Sequence, residues 1–367
     1  MRHNQYRYLP GWLMVLALLG MATLVHAQGG NTQRADWMDA APTSTGLKVG
    51  EKIPAFRGTD QNGQERDFQS IKGPKGAVIV FSRSADWCPY CKTQLIEMEQ
   101  YIDDFKKQGL GVVAMTYDST EIVADFAKRH NITYPLLGDS DFNIIRAFGV
   151  LNTSVPEDHT WYGVPYPGTF IVDQDGVVRS KYFEDNYRDR YSAPTILLRE
   201  FGSVAGTREM TSKTPHLEMK YYSTKDVVRP NLHFTLVAVF QLPPKMHVYS
   251  PEVEGYIPID FALDASPNFK ILPAAYPKSK VLFLEAIDEK VPVYEGKFRI
   301  TQDVILAGSR ELQALLAGSK QIKITGKLRY QACDDKICYL PQTLPMEWTL
   351  ALEPLDTERV PEELRRK

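Results

Sequence analysis

The chain has 367 residues, 24% of them charged and 43% hydrophobic, a balance that excludes collagen, low-complexity disorder and a polytopic membrane protein. Its 43 Lys+Arg against 45 Asp+Glu leave no basic excess for nucleic-acid binding, and four cysteines are too few for a disulfide-stapled scaffold. At roughly 100–200 residues per domain, the length allows two domains.

Residues 1–27 read as a secretory signal peptide. Arg2 and Arg7 give a positive start, Trp12 to Val25 is uncharged, and Val25-His26-Ala27 offers a cleavage site. The uncharged run is shorter than the roughly 20 residues of a membrane span; an uncleaved anchor is the other reading. No cysteine follows the run, which argues against a lipoprotein. Cleavage predicts a periplasmic or secreted protein, soluble and without stable membrane insertion, in a compartment where disulfides persist. Residues 28–46, small and polar, read as a linker.

From residue 47 strand and helix patterns alternate. Ala77-Val78-Ile79-Val80-Phe81 is a buried strand. Cys91, Leu95, Met98, Ile102 and Phe105 form an apolar stripe with helical spacing, which predicts one helix of about four turns. Leu110–Met115 is a second strand, Glu121–His130 a helix ending at Asn131, and Thr169–Val172 a third strand. Asp173-Gln174-Asp175-Gly176 makes a turn into a hairpin partner, Val177–Tyr182. The pattern predicts an α/β sheet with a parallel centre and an antiparallel edge. Lys181–Tyr191, rich in Tyr, Asp and Arg, reads as a solvated surface segment. Residues 204–213 read as a second linker.

Beyond it the helical period gives way to period two. Leu232 to Phe240, Ile257 to Leu263, Ile322 to Tyr330 (interrupted by Gly326) and Trp348 to Leu352 alternate apolar and polar, as the strands of an antiparallel sandwich do. Arg310–Leu316 reads as a short connecting helix, and 354–367 as a charged tail that frays.

Cys88-Pro89-Tyr90-Cys91 lies between a strand and a helix. That junction puts Cys88 at a helix N-terminus, where unpaired N–H groups and the helix dipole favour an anion, and its thiol pKa is expected below about 8.5. Cys91, one turn on and in the buried stripe, is shielded. The asymmetry predicts a nucleophile, Cys88, and a resolving thiol, Cys91; Pro89 suits the first helical turn. Zinc or an inert bridge is the alternative, but zinc needs about four ligands and none stand near by. No metal and no cofactor are expected.

Residues 47–203 resemble the thioredoxin-like superfamily in its redoxin, peroxiredoxin-like (AhpC/TSA) branch, through Phe81-Ser-Arg-Ser-Ala-Asp-Trp-Cys88-Pro-Tyr-Cys91 and Tyr166-Pro167-Gly168-Thr169-Phe170-Ile171-Val172-Asp173. The resemblance implies a cis-proline at Pro167 packed against the reactive pair and a Tyr166 backbone that pairs with an extended substrate segment; Trp87 is expected as a lid. True peroxiredoxins carry Pro seven residues before the peroxidatic Cys and Thr or Ser three before; here those positions hold Phe81 and Ala85. Arg83 still supplies a positive group near Cys88.

The second pair stands in Tyr330-Gln-Ala-Cys333-Asp-Asp-Lys-Ile-Cys338-Tyr-Leu-Pro341. By spacing alone a structural staple and a redox pair are equally open. Residues 214–353 resemble the N-terminal domain of the thiol:disulfide interchange protein DsbD, through this stretch and, more weakly, Met246-His247-Val248-Tyr249. The resemblance implies an immunoglobulin-like sandwich whose pair passes electrons between a thioredoxin-like partner and periplasmic oxidoreductases. It departs in cysteine spacing, one residue shorter here, and its cap loop has only Phe283 in the matching region. His247 and Tyr249 are candidates to flank the pair.

The combined expectation is an exported thiol–disulfide oxidoreductase in which Cys88–Cys91 exchanges with Cys333–Cys338 or with periplasmic thiol/disulfide proteins. Two other readings stay open: a thiol peroxidase with Cys88 peroxidatic, and a non-enzymatic binding module with both bridges structural.

Overall fold

The computed structural model describes residues 44–202, 204, 208–285 and 288–366. The expected signal peptide, residues 28–43 of the first linker and Lys367 lie outside them. Linker residue Gly46 is already part of the fold, its N–H donating to Gly149 O at 3.0 Å.

The strand Gly76–Phe81 is buried throughout. Val78 and Val80 enter one core with Leu95, Met98 and Phe105, while Ala77, Ile79 and Phe81 enter another with Val113, Phe148 and Phe170. Covering on both faces is why this strand reads as an unbroken apolar run. It pairs antiparallel with Gly168–Asp173, which turns through Gly176 (φ 77°) into Val178–Phe183. It also lies against Leu110–Thr116, Ser82 N–H donating to Met115 O at 2.9 Å. Leu110–Thr116 runs parallel to Leu136–Gly138, and Gly58–Asp60 and Glu65–Arg66 complete that row. This is a thioredoxin-like α/β fold.

The helical stripe after Cys88 is split, contrary to the single helix expected. Pro89–Gln100 and Ile102–Lys107 meet at Tyr101 (φ −113°, ψ 12°). The second piece begins with Asp103-Asp104 and ends with Lys106-Lys107, the charge order a separate helix dipole favours. Thr120–His130 stops at Asn131, whose φ of 54° is left-handed, as a C-terminal Asn allows.

The later region is an all-β sandwich with one short helix, Arg310–Ala317. A five-stranded sheet runs in the order Phe269–Ala275, Lys297–Leu306, His233–Gln241, Glu218–Ser223, Met210–Lys213. A four-stranded sheet holds Val227–Val228, Gln342–Leu352, Gln321–Tyr330 and Asp260–Leu263. Phe234, Leu236, Ala238 and Phe240 share one core with Ile322, Ile324, Leu328 and Trp348. Gly326 does not interrupt its strand: a Cβ there would sit 2.6 Å from Ala262 O, so glycine lets the neighbouring strand approach. The second linker is shorter than expected, since Met210–Lys213 pairs with Glu218–Ser223. A third sheet, Lys280–Leu284, Glu289–Glu295, His247–Tyr249 and Ala332–Cys333, carries the second cysteine pair.

The two halves belong to one compact unit. Lys225 of the sandwich ion-pairs with Glu97 on the helix Pro89–Gln100, both side chains buried. Arg190 bridges Leu232 in parallel, its N–H donating to Asn231 O and its carbonyl accepting from His233 N–H, each at 2.8 Å. The tail does not fray. Arg359 ion-pairs with Asp86, Val360 is fully buried, and Lys92 meets Glu358 O and, at 3.6 Å, Asp356. A charged sequence reads as solvated because charges are seldom buried unpaired; here Asp356, Glu358, Arg359 and Arg366 find partners on the α/β half.

Candidate active site

Cys88 is the N-cap residue of Pro89–Gln100, with Pro89 at the first helical position and Lys92 N–H donating to Cys88 O at 3.0 Å. The strand Gly76–Phe81 delivers the chain to Ser82–Trp87, and this loop is fixed by Asp118. Its carboxylate accepts from Ala85 N–H at 2.6 Å and from Ser84 Oγ at 2.9 Å. Burial raises the Asp118 pKa to about 6, with these hydrogen bonds opposing. Ala85, where a peroxiredoxin would carry a hydroxyl, is fully buried.

Cys88 and Cys91 form a disulfide, Cα to Cα 5.3 Å. Both are buried, at 1% and 0% exposure, so shielding does not distinguish them. Hydrogen-bond donors do. Arg83 N–H points at Cys91 Sγ at 3.3 Å, and Arg190 Nη2 at the same sulfur at 3.2 Å. The Arg83 guanidinium lies 4.8 Å from the ring centre of Trp87, 5.4 Å from Trp161 and 4.8 Å from Tyr187, a cation held by π-faces. Burial lowers its pKa to about 10, Tyr187 and Tyr117 opposing.

Trp87 is half-buried and stacks on Trp161 at 4.5 Å and 5°. Its Nε1 donates to Tyr117 Oη at 2.8 Å. A cleft of about 600 Å³ opens beside the motif, lined by Tyr90, Arg188, Asn231, Lys270, Leu355 and Thr357.

Two expectations need correction. The Tyr166–Pro167 bond is trans, as are all peptide bonds among the described residues. Trans is favoured by about 0.5–1 kcal/mol at any X–Pro bond, and the local contacts give no reason to leave it. Pro165 bridges Leu151, Tyr166 N–H donates to Val150 O at 2.7 Å, and Tyr166 Oη meets Ser154 Oγ at 3.1 Å. The Tyr166 N–H and hydroxyl are therefore engaged internally, and the bond before Pro167 is not the cis form expected. Second, Lys181–Tyr191 is not a solvated surface throughout: it delivers Arg190, 2% exposed, to Cys91. No spacing in the sequence marks that arginine, because its partners lie 99 residues before it and in the sandwich.

Cys333 and Cys338 form the second disulfide, Cα to Cα 4.0 Å, across a tight loop. Asp334 organises it, accepting from Lys336 N–H at 2.8 Å, Ile337 N–H at 2.9 Å and Tyr339 Oη at 2.8 Å; these donors hold its carboxyl below the usual range. Cys333 is buried and Cys338 exposed. Tyr249 Oη lies 3.6 Å from Cys338 Sγ and 3.7 Å from Cys333 Sγ. His247 stands opposite Cys333 in the ladder, and burial lowers its pKa. The two residues singled out as flanking this pair therefore do so. Phe283 lies within Lys280–Leu284 and is 48% exposed. Among the described residues no group of three His, Cys, Asp or Glu is arranged to hold a metal ion, and no helix is long and apolar enough to cross a membrane.

Comparison with known proteins gives two matches along the chain. Residues 49–181 match the AhpC/TSA family, and residues 220–347 match the N-terminal domain of thiol:disulfide interchange protein DsbD. A Mycobacterium tuberculosis protein that carries a peroxiredoxin name is 33% identical over 135 residues, 37% of this chain and 84% of that protein. Thiol-disulfide oxidoreductase ResA of Bacillus thuringiensis subsp. konkukian is 28% identical over 133 residues, 36% of this chain and 68% of ResA. Among solved structures, a thiol peroxidase from Chromobacterium violaceum aligns with 22% identity over 44% of this chain and 91% of that one, TM-score 0.37.

Proposed function

The chain belongs to the AhpC/TSA family, carries a second domain of the DsbD N-terminal type and is a thiol oxidoreductase of the exchange or peroxidase kind; from that premise we propose that it is an exported thiol–disulfide oxidoreductase with two redox pairs. The observation that carries this reading is the bridged pair Cys88–Cys91 at a helix N-terminus, with two hydrogen-bond donors on one sulfur. A partner thiolate attacks Cys88 Sγ, the Cys88–Cys91 bond breaks, and its electron pair leaves on Cys91. The partner's second thiol, as thiolate, then attacks its own mixed sulfur and expels Cys88 as thiolate. Two electrons pass to the pair and the partner becomes a disulfide.

We assign the α/β domain as 47–203 and the sandwich as 210–353, its first strand being Met210–Lys213, and we place the protein outside the cytoplasm on its signal-peptide pattern. Cys333–Cys338 is the second exchange centre in this reading, its exposed Cys338 being the sulfur open to a partner. Tethering two such centres raises their mutual concentration to about the millimolar range where geometry lets them meet.

Thiol trapping tests the proposal. The purified chain, Cys88→Ser and Cys333→Ser are equilibrated in defined thiol/disulfide buffers, and each pair is read by mass. Both pairs titrating, with loss of one slowing exchange at the other, supports the relay. A Cys333–Cys338 bridge that resists every non-denaturing reductant makes it a staple and confines exchange to the first pair. Peroxide turnover by Cys88 is the second reading, favoured by similarity to peroxiredoxins; Ala85 weighs against it. Rapid peroxide consumption with sulfenic acid at Cys88 would replace exchange by that reading.

A further inference from the structure

Arg190 is a buried cation with no carboxylate of its own. Its guanidinium donates to the carbonyls of Tyr187 and, at 2.8 Å, Asp189, and to Cys91 Sγ; its Nε is buried without a hydrogen bond. Among the described residues it forms no ion pair. The nearby acids are taken: Asp189 by Asn231 Nδ2 at 2.8 Å and Lys270 at 3.6 Å, Glu184 by His233 at 2.9 Å. A buried charge is stable only where something answers it, and the group in contact able to become an anion is Cys91.

The other charged and titratable groups around Cys91 act in the same sense or are neutralised. Arg83 on the preceding loop gives Cys91 a backbone N–H, while its guanidinium lies over the Trp87, Trp161 and Tyr187 rings. Tyr90 and Tyr187 are phenols, and Glu97 on Cys91's own helix is paired with Lys225. Burial and the Arg83 cation lower the Arg190 pKa to about 9, with Asp189 and Glu184 opposing, so Arg190 is charged at neutral pH.

We propose that Arg190 is a catalytic residue of thiol–disulfide exchange: it is the counter-ion of the Cys91 thiolate, and the sandwich holds it there. This rests on the reading of Cys88–Cys91 as a redox pair. When an incoming thiolate bonds to Cys88 Sγ, the Cys88–Cys91 bond breaks and the electron pair departs on Cys91 Sγ, where Arg83 N–H and Arg190 Nη2 already point. In reverse, the same stabilised thiolate attacks Cys88 of the mixed disulfide and expels the partner's sulfur. A stabilised leaving thiolate speeds the first step, and a larger thiolate fraction at neutral pH favours the second. The domain requirement follows from the backbone, since Arg190 N–H and C=O are both bonded to the sandwich segment Asn231–His233.

The test is a thiol titration in the full chain. With Cys88, Cys333 and Cys338 all changed to Ser, Cys91 is the sole thiol and its ultraviolet thiolate absorbance against pH gives its pKa; the chain keeping only Cys88 reports that residue. Arg190→Met is expected to lower the Cys91 thiolate fraction at neutral pH about tenfold, one unit of pKa, and to move Cys88 less. Arg190→Lys restores part of the loss, because it keeps the charge without the planar fork. An unchanged Cys91 titration in Arg190→Met, or a larger change at Cys88, overturns the assignment. If Arg190→Met does not fold, Arg190→Lys decides alone: a loss of at least about threefold supports the role and an unchanged titration overturns it. A wild-type pair that no non-denaturing reductant opens defeats the redox reading itself; a reducible pair whose Cys91 ignores Arg190 defeats only this inference.

Discussion

Arg359 reaches both carboxylate oxygens of Asp86, Nε to Oδ1 at 2.6 Å, joining residues 273 apart in sequence two positions before Cys88. Asp86 is buried and also accepts from Val360 N–H at 3.0 Å. Arg359→Ala leaves that carboxylate with one donor fewer on each oxygen. Hydrogen bonds to charged groups contribute about 1.5–3 kcal/mol, and the arginine is 41% exposed, so a loss near the lower end, about 1–2 kcal/mol, is expected in urea unfolding. Arg359→Lys is expected to recover only part, since a lysine cannot make the two-pronged contact. Equal midpoints for wild type and Arg359→Ala would mean that the tail contact carries no stability.

Glu97 is the junction of three elements. Its Oε1 accepts from Ala193 N–H at 2.9 Å, the first residue of the helix Ala193–Phe201, and its Oε2 meets Lys225 from the sandwich. Burial pushes the Lys225 ammonium well below its ordinary pKa. Removing one partner of a buried pair costs about 3–5 kcal/mol, whereas replacing both by groups of similar shape is often close to neutral. Lys225→Met is therefore expected to destabilise the chain by about that amount, and Glu97→Gln added to it to return most of the loss. Additive effects of the two changes would show that the residues do not act as a pair.

His233 is fully buried, with Nε2 2.9 Å from Glu184 of the α/β half and Nδ1 3.9 Å from Asp303. Burial opposes its charge, but hydrogen bonds and attraction from Asp303 and Glu184 prevail and raise its pKa above 6.5. The folded chain thus holds a proton that the unfolded chain releases near 6.5. The stabilisation is fully present below that pH and is lost as pH rises through the higher folded value. Urea midpoints are expected to decline from near neutral into mildly alkaline pH, and His233→Gln to flatten that decline. A decline of the same slope in both proteins would assign the pH dependence elsewhere.

Local patterns made most of the fold legible. The run 77–81, the period-two strands of the sandwich and the strand-to-helix position of Cys88 each follow from residues adjacent in sequence, and each is present. What the sequence concealed lies in long-range charge pairing. Lys92, Glu97 and Lys225 are all buried, yet each reads as a surface residue because the charged partner that makes burial tolerable is remote. Tyr166-Pro167 misled for a related reason: the motif matched a family pattern, but the backbone partner that fixes it, Val150, lies outside the motif.

Tyr249 bears on whether the second pair is chemical or merely structural. Its hydroxyl lies against both sulfurs of Cys333–Cys338, and its ring stacks on Tyr256 at 4.5 Å. In the disulfide this hydroxyl meets weak acceptors; after reduction it faces a thiolate, and a hydrogen bond to an ion is roughly twice as strong as a neutral one. The hydroxyl therefore favours the reduced, ionised pair over the bridge. Tyr249→Phe keeps the ring and its stacking and removes that preference. In a fixed thiol/disulfide buffer the reduced fraction at Cys333–Cys338 is expected to fall about three- to tenfold, corresponding to about 0.7–1.4 kcal/mol, with Cys88–Cys91 unchanged. Peptide masses after alkylation report the two pairs separately. A fall at both pairs would show a general change in the fold, and no fall at either would show that the hydroxyl takes no part in the redox balance.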